Sequence, residues 1–207
     1  MPLIEDLINS GYLKTPNIIK AFRIVKRQDF LISGNSREAE INAPIAIGYD
    51  QTISQPLTVA FMLELLVVRY GDKVLDVGSG SGWTTALLAQ LVGSQGKVYA
   101  LEIIPELKKF GEKNVNRYNF INRGIVHFFC ADGREGLPEF SPFDRILVSA
   151  AAETTPPALQ KQLAVGGRMV IPIGQEYHSQ EIVVFDKQVS GRIKESSFPG
   201  FIFVPLT

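Results

Sequence analysis

Val74-Leu75-Asp76-Val77-Gly78-Ser79-Gly80-Ser81-Gly82 is the stretch that decides the fold of this 207-residue chain. An apolar run passes through a carboxylate and ends in glycines at alternating positions, which is typical of a buried strand that turns tightly into a helix. Glycine lets the backbone bend and lets a ligand approach without a β-carbon in the way. Open α/β sheets bind ligands at the carboxyl ends of their strands, so the turn predicts a binding site.

The segments after this turn alternate between helix and strand patterns. A helical pattern runs through Leu91 and leads to a strand at 97–101, which completes a βαβ unit. Continued alternation predicts a Rossmann-like α/β fold with a doubly wound, mostly parallel sheet and helices on both faces. The later elements predicted in chain order are a helix from Pro105, strands at 126–129 and 145–148, a helix from Pro156 ended by Gly166-Gly167, and a strand at 169–173.

Both ends of the chain are predicted to depart from this alternation. Residues 1–50 are mostly helical, and Ser54-Gln55-Pro56 marks the start of a further helix, because proline is favoured in a first turn. Segments 181–186 and 201–204 have strand patterns and are joined through Ser190-Gly191, which predicts an antiparallel C-terminal edge.

Composition indicates one ordinary globular domain. The chain is 45% hydrophobic and 20% charged with zero formal net charge, so it lacks the basic excess of a nucleic-acid binder. We predict a single domain over 1–207, with an N-terminal extension and substrate-side loop at 1–50 and a cofactor-binding α/β core at 51–207.

The same sequence gives expectations for compartment, metal and partners. The first ten residues lack the basic start and apolar run of a signal peptide, and the longest apolar stretch, 59–68, is too short to cross a bilayer. A single cysteine, Cys130, and two separated histidines offer no cluster with metal-ligand spacing. We therefore expect a cytoplasmic monomer with no metal and no membrane or nucleic-acid partner.

The residues around the glycine turn favour a nucleoside ligand. A dinucleotide fingerprint needs a glycine at position 83, where the chain has Trp83, and a P-loop needs a lysine that is missing. Asp76 ends the first strand and Glu102 ends the second, 20 residues beyond Gly82, close to the interval at which an acidic side chain reaches a ribose. This pattern favours S-adenosylmethionine, with Glu102 accepting from the ribose hydroxyls.

A second carboxylate is predicted at the same sheet edge, where Asp132-Gly133 follows the third strand and could accept from an adenine amino group. Each of these assignments has a structural alternative. Glu102 could be a solvated strand end, the glycine run a tight turn without a ligand, and Asp132-Gly133 a simple turn.

Further segments of the chain, in the right order over almost its whole length, resemble the protein-L-isoaspartate O-methyltransferase family. Thr52-Ile53-Ser54-Gln55-Pro56 is the specific part, since many methyltransferases share the glycine motif. The segments that carry the resemblance are 51–56, 76–82, Asp132-Gly133-Arg134-Glu135-Gly136, Phe143-Asp144 with 149–152, Gly166-Gly167-Arg168, Pro172-Ile173-Gly174 and the final Phe203-Val204-Pro205-Leu206-Thr207.

The resemblance implies transfer of a methyl group from S-adenosylmethionine to the free α-carboxylate of L-isoaspartyl residues in damaged proteins and peptides. S-adenosylhomocysteine is then the product, and the methyl ester closes to a succinimide whose hydrolysis returns some normal aspartate. Ser54 is implied as the catalytic residue beside the acceptor. The implied donor pocket consists of Thr52, Asp76, Gly78, Ser79, Gly80, Gly82, Glu102, Asp132, Gly133 and Thr207.

The acceptor chemistry agrees with the absence of an obvious base. The free carboxyl, with a pKa of about 4, is already an anion at neutral pH, so catalysis needs positioning more than proton transfer. Ser54 would orient the attacking oxygen with one hydrogen bond, although a serine before a helix also fits a plain cap.

Two other functions stay open on the sequence. The acceptor could be RNA, DNA or a small metabolite, although 149–152 is Ser-Ala-Ala-Ala and lacks the Asp/Asn-Pro-Pro-aromatic box of many amino-group methylases. A non-catalytic protein could also keep the fold as a scaffold. Departures from the family pattern at Glu40, Ala46, Asp50 and Trp83 bear on acceptor preference more than on donor binding.

Overall fold

The computed structural model describes residues 2–32, 34, 36–176 and 178–206, which form an α/β structure around a large sheet. Its helices are α1 Pro2–Asn9, α2 Pro16–Ile24, α3 Ser36–Ala39, α4 Pro56–Leu66, α5 Trp83–Val92, α6 Pro105–Asn116 and α7 Pro157–Gln162, with 3-10 turns at Arg27–Phe30, Gly93–Gln95 and Pro138–Phe140. Its strands are β1 Ile45–Gly48, β2 Gln51–Ile53, β3 Lys73–Val77, β4 Lys97–Glu102, β5 Val126–Cys130, β6 Phe143–Val148, β7 Leu163–Ile173, β8 Gln180–Lys187 and β9 Ile193–Phe201.

Seven strands form the main sheet in the order β5-β4-β3-β6-β7-β8-β9. The first five are parallel to one another, and β8 and β9 join antiparallel at one edge. The predicted doubly wound sheet with an antiparallel C-terminal edge is therefore confirmed. Strand order reverses between β3 and β6, so a crevice opens where the carboxyl ends of these two strands diverge.

Two apolar clusters cover opposite faces of the sheet, because alternate side chains of a strand point to opposite sides. Val74 of β3 packs in the cluster that includes α4 and α5, whereas Leu75 and Val77 pack in the cluster that includes Leu159 of α7. By the same alternation, Asp76 faces the α5 side. Its carboxylate is therefore placed under the first turn of that helix.

The boundary predicted between α7 and β7 is wrong. The helix ends at Gln162, and β7 already begins at Leu163, which pairs with Phe143 of β6. Gly166 and Gly167 lie inside β7, where the register to β6 shifts. A β-carbon at position 167 would lie 2.8 Å from a backbone oxygen, so the glycine permits a close backbone approach and does not stop a helix.

The predicted strand at 201–204 is also misplaced. After the turn at 190–191 the chain enters β9 directly at Ile193, and the strand ends at Phe201. Hairpin strands pair from the turn outward, so Lys187 and Ile193 face each other next to it.

The N-terminal extension contains a strand that the sequence did not predict. β1 pairs with β2 through a two-residue turn, Tyr49-Asp50, and both turn residues are left-handed, with φ of 55° and 56°. Such a pair is the hairpin turn that favours Asn-Gly, so Asp50 stands at a position where glycine would avoid the strain. No helix within the described ranges has the length and apolarity to span a membrane.

Candidate active site

A cavity of about 800 Å³, counting the solvent at its mouth, lies at the carboxyl ends of β3 and β4. We call it the donor cavity. The β1–β2 hairpin and Ser54 form one wall, the glycine turn forms the floor, and the segment after β9 contributes 204–206. Its lining residues are 47, 51–54, 77–81, 83–84, 101–104, 107, 131, 133, 149–150 and 204–206.

The glycine turn forms the floor because its backbone adopts conformations that other residues rarely take. Gly78, Gly80 and Gly82 have φ of 77°, 50° and 85°. A β-carbon on Gly82 would lie 2.9 Å from the carbonyl oxygen of Gly111, so this position also lets α6 pack against the turn. The alternating glycines are therefore required by the backbone, and Gly82 itself lies outside the lining.

Glu102 is only 6% exposed, so its interpretation as a solvated strand end is wrong. One carboxylate oxygen accepts from the backbone N–H of Gly80 at 2.8 Å, and the other accepts from the N–H of Ile104 at 3.0 Å. These two bonds fix the carboxylate at the cavity wall. Each oxygen has a second lone pair, so the side chain keeps the capacity to accept from ribose hydroxyls.

Asp76 lies behind the cavity wall. Its carboxylate is fully buried and accepts from the hydroxyl of Thr85 at 2.6 Å and from that of Thr84 at 3.4 Å. Burial raises its pKa to about 6, and the nearby charge of Glu102 acts in the same direction. Asp76 is not among the lining residues, so its place in the donor pocket stays a prediction.

Ser54 is half-buried on the cavity wall, next to the exposed Thr52. The residue at the N-cap of α4 is Gln55, and no side chain caps the helix from that position. Ser54 is therefore not the helix cap. Its hydroxyl has no hydrogen-bond partner among the described residues, whereas its carbonyl oxygen accepts from Arg27 at 3.2 Å.

The turn after β5 places Gly133 in the lining and Asp132 outside it. Asp132 accepts from the backbone N–H of Arg134 at 2.8 Å and forms an ion pair with its guanidinium, which lowers the pKa of the carboxyl. The side chain therefore stabilises a turn, and its predicted contact with adenine stays a prediction. Thr207, also predicted for the donor pocket, lies outside the described residues.

Several lining residues were not predicted from the sequence. The segment 204–206 reaches the cavity because Ala151 pairs with it: the Ala151 N–H donates to the oxygen of Val204 at 2.8 Å, and the Leu206 N–H donates to the oxygen of Ala151 at 2.7 Å. Ser149 and Ala150 follow directly after β6, a position that the strand-end rule could have indicated. No strand pattern indicated that 204–206 would reach the cavity, although the family resemblance included 203–207 and implied that Thr207 lies in the donor pocket.

The lining fits a nucleoside. Glu102 offers a fixed acceptor, and apolar side chains such as Ile103 and Leu107 lie nearby in the lining. The hydroxyl of Ser79 is buried and has no hydrogen-bond partner within the described ranges. A β-carbon on Gly133 would lie 2.5 Å from the Val77 side chain, so glycine here lets the turn after β5 pack closely against β3. No group of three His, Cys, Asp or Glu residues in the described ranges is arranged to hold a metal ion.

Comparison with known proteins gives a consistent result along the whole chain. The sequence profile of the protein-L-isoaspartate(D-aspartate) O-methyltransferase family matches residues 1–207. A protein-L-isoaspartate O-methyltransferase of Aeropyrum pernix is 42% identical over 204 residues, covering 99% of this chain and 77% of the relative. One from Methanococcoides burtonii is 43% identical over 189 residues, 91% of each chain.

A solved structure is similar over the same extent. The Plasmodium falciparum protein described as a protein-L-isoaspartate O-methyltransferase, crystallised in complex with S-adenosyl-L-homocysteine, superposes with a TM-score of 0.88. It is 26% identical in sequence, and the match covers 100% of this chain and 97% of that one. With a family match over its full length and relatives above 40% identity, the chain belongs to the protein-L-isoaspartate(D-aspartate) O-methyltransferase family.

Proposed function

We propose that this protein transfers a methyl group from S-adenosylmethionine to the free α-carboxylate of L-isoaspartyl residues in damaged proteins and peptides. The observation that carries the proposal is the position of Ser54, whose unbonded hydroxyl lies on the wall of the same cavity as Glu102 and the glycine turn. The family match over residues 1–207 supports the acceptor. We also infer that the protein acts as a cytoplasmic monomer.

In this proposal, Glu102 and the glycine turn bind the methyl donor, and Ser54 binds the methyl acceptor. Glu102 holds the ribose of the donor through its remaining lone pairs, while Gly78, Ser79 and Gly80 provide a surface that a ligand can approach closely. When bound, S-adenosylmethionine supplies an electrophilic methyl group on a sulfonium, which becomes a neutral thioether after transfer. Ser54 donates one hydrogen bond to the acceptor carboxylate and orients its other oxygen.

No base is needed, because an α-carboxylate with a pKa of about 4 is an anion at neutral pH. Among the residues of the donor cavity, Glu102 is already engaged by two backbone N–H groups. Catalysis then rests on holding the acceptor oxygen in line with the methyl carbon, an effect that can supply roughly 7 to 11 kcal/mol. The resulting ester closes to a succinimide, and its hydrolysis returns some normal aspartate, so the methylation starts a repair cycle.

The test compares two peptides that differ only in having isoaspartate or aspartate at one site. Each is incubated with the protein and with S-adenosylmethionine labelled in the methyl group. Base-labile label on the isoaspartyl peptide alone is the expected result. If neither peptide is labelled although the donor binds by calorimetry, the proposed acceptor is wrong and nucleic acids and small metabolites become the next substrates to test.

A further inference from the structure

Arg27 is a buried cation that donates hydrogen bonds to the backbone near Ser54, on the wall of the donor cavity. It is 5% exposed and lies at the start of the 3-10 turn Arg27–Phe30. One terminal nitrogen donates to the carbonyl oxygens of Ile41 at 2.8 Å and Ala39 at 3.4 Å. The other donates to the oxygens of Ala43 at 2.7 Å and Ser54 at 3.2 Å. A single guanidinium thus connects the loop 39–43 to the turn that carries Ser54.

The same guanidinium also contacts the donor side of the cavity. Its central carbon lies 5.4 Å from the ring centroid of Trp83, in a cation–π contact. Trp83 lines the donor cavity and is the first residue of α5. Arg27 therefore contacts both the turn that carries Ser54 and Trp83 on the wall of the donor cavity.

Backbone oxygens and an aromatic face are the partners that surround this charge. Burial lowers the pKa of Arg27 to about 10, which still leaves it protonated at neutral pH. A planar guanidinium has five N–H donors in a fixed fork and stacks on aromatic rings, whereas a lysine ammonium has three donors and no plane. Lysine therefore keeps the charge at this position but cannot reproduce the set of contacts.

A second, independent link joins the same two segments. The side-chain oxygen of Asn42 accepts from the N–H of Leu57 at 3.0 Å, in the first turn of α4. The carbonyl oxygen of Asn42 accepts from the side-chain amide of Gln55 at 3.1 Å. Loop 39–43 and the turn around Ser54 are thus tied together at two points, so movement of the loop is transmitted to the turn.

We propose that Arg27 is a positioning residue for the acceptor, because it fixes loop 39–43 and the Ser54 backbone against Trp83 so that the Ser54 hydroxyl meets the acceptor carboxylate. The proposal rests on the function proposed for Ser54. It requires Arg27 to affect acceptor turnover while donor affinity stays nearly constant, since Glu102 and the glycine turn are held by other contacts and the Trp83 ring also packs against Phe22.

The test replaces Arg27 with lysine and uses Arg23→Lys as the matched control, because Arg23 lies on α2 with its side chain 54% exposed. In Arg27→Lys, kcat/KM for the isoaspartyl peptide should fall roughly 10- to 100-fold, the range that a small misplacement can cost. The dissociation constant of S-adenosylmethionine, measured by calorimetry, should change less than about twofold, well under the 1.4 kcal/mol of a tenfold effect. Arg23→Lys should match the wild type in both measurements.

A double-mutant cycle with Ser54→Ala separates positioning from general destabilisation. If Arg27 acts through Ser54, Arg27→Lys should cause little further loss in the Ser54→Ala background. Fully additive losses, or a donor affinity that falls together with turnover, would overturn the proposal. An inactive but donor-binding wild type would instead refute the proposed function. In that case faster amide hydrogen exchange at 40–43 and 54–55 in Arg27→Lys still tests whether Arg27 holds these segments.

Asn42→Ala provides the test if Arg27→Lys does not fold. It removes the Asn42 side-chain bond to Leu57 and leaves Arg27 in place. We expect the same selective loss, with lower kcat/KM for the peptide and unchanged donor affinity. Wild-type kinetics in Asn42→Ala together with faster amide exchange at 40–43 would show that loop position does not control the acceptor, and would overturn the proposal.

Discussion

Replacing Glu102 with alanine is expected to weaken the binding of S-adenosylmethionine roughly 10- to 100-fold, because a hydroxyl left unpaired in a buried site costs about 1 to 3 kcal/mol and each 1.4 kcal/mol is tenfold. The structure sets this range. Glu102 is 6% exposed, so water replaces its carboxylate poorly. Its oxygens already accept from Gly80 and Ile104, which leaves one lone pair on each oxygen for the ribose.

Titration calorimetry of the donor into the variant measures this effect, with thermal unfolding as a check that the protein is folded. Glu106→Ala is the matched control, since Glu106 is exposed in the first turn of α6. Glu102→Gln keeps one carbonyl-type acceptor and should give a smaller loss than alanine. A folded Glu102→Ala protein with the wild-type dissociation constant would refute the assignment of Glu102 to the ribose.

Three further predictions concern the acceptor, pH and the hairpin. Ser54→Ala should lower kcat/KM for the isoaspartyl peptide roughly 10- to 100-fold, by loss of one hydrogen bond to a carboxylate, with donor affinity unchanged in calorimetry. Because the pKa of Asp76 is raised from 3.8 to about 6 in the folded protein, its contribution to stability is present below pH 4 and is lost as the pH rises through 6. The wild type should therefore lose roughly 3 kcal/mol of unfolding free energy relative to Asp76→Asn between pH 3 and pH 7, which bracket both pKa values, measured by urea unfolding. The double change Tyr49→Asn and Asp50→Gly should stabilise the protein by about 1 kcal/mol in the same assay, because it relieves two left-handed turn residues.

Each of these predictions has a contradicting result. Unaltered peptide turnover in Ser54→Ala would remove this hydroxyl from catalysis. Parallel stability curves for wild type and Asp76→Asn between pH 3 and pH 7 would show that the carboxyl titrates normally. A hairpin variant that is less stable than the wild type would mean that the Tyr49 side chain contributes more than the turn strain costs.

The sheet and the glycine turn could be predicted because local pattern determines them. A short apolar strand followed by glycines requires a tight turn wherever it occurs, and the same pattern located Glu102 at the end of β4. The boundary at Leu163 could not be predicted from Gly166 and Gly167. Glycine ends helices and also permits close backbone contacts in strands, and only the pairing with Phe143 distinguishes the two.

The candidate site could be predicted only where its residues follow strands or motifs. Residues 204–206 reach the donor cavity through pairing with Ala151, a long-range contact that leaves no periodic signal. In the sequence, Arg27 is one of several cations of the N-terminal stretch, together with Lys14, Lys20, Arg23 and Lys26. Only the fold brings Ala43 and Ser54 to its guanidinium, so no sequence pattern could indicate the positioning role that we propose.

The position of Trp83 gives this protein a built-in optical probe, since it is the only tryptophan in the sequence. The indole is 3% exposed, lines the donor cavity, and contacts both Phe22 and the Arg27 guanidinium. Tryptophan emission therefore comes from one buried ring at the cavity wall, and a ligand bound in the donor cavity would change the surroundings of that ring. Stopped-flow fluorescence can thus time donor entry in the unlabelled protein, before any methyl group is transferred.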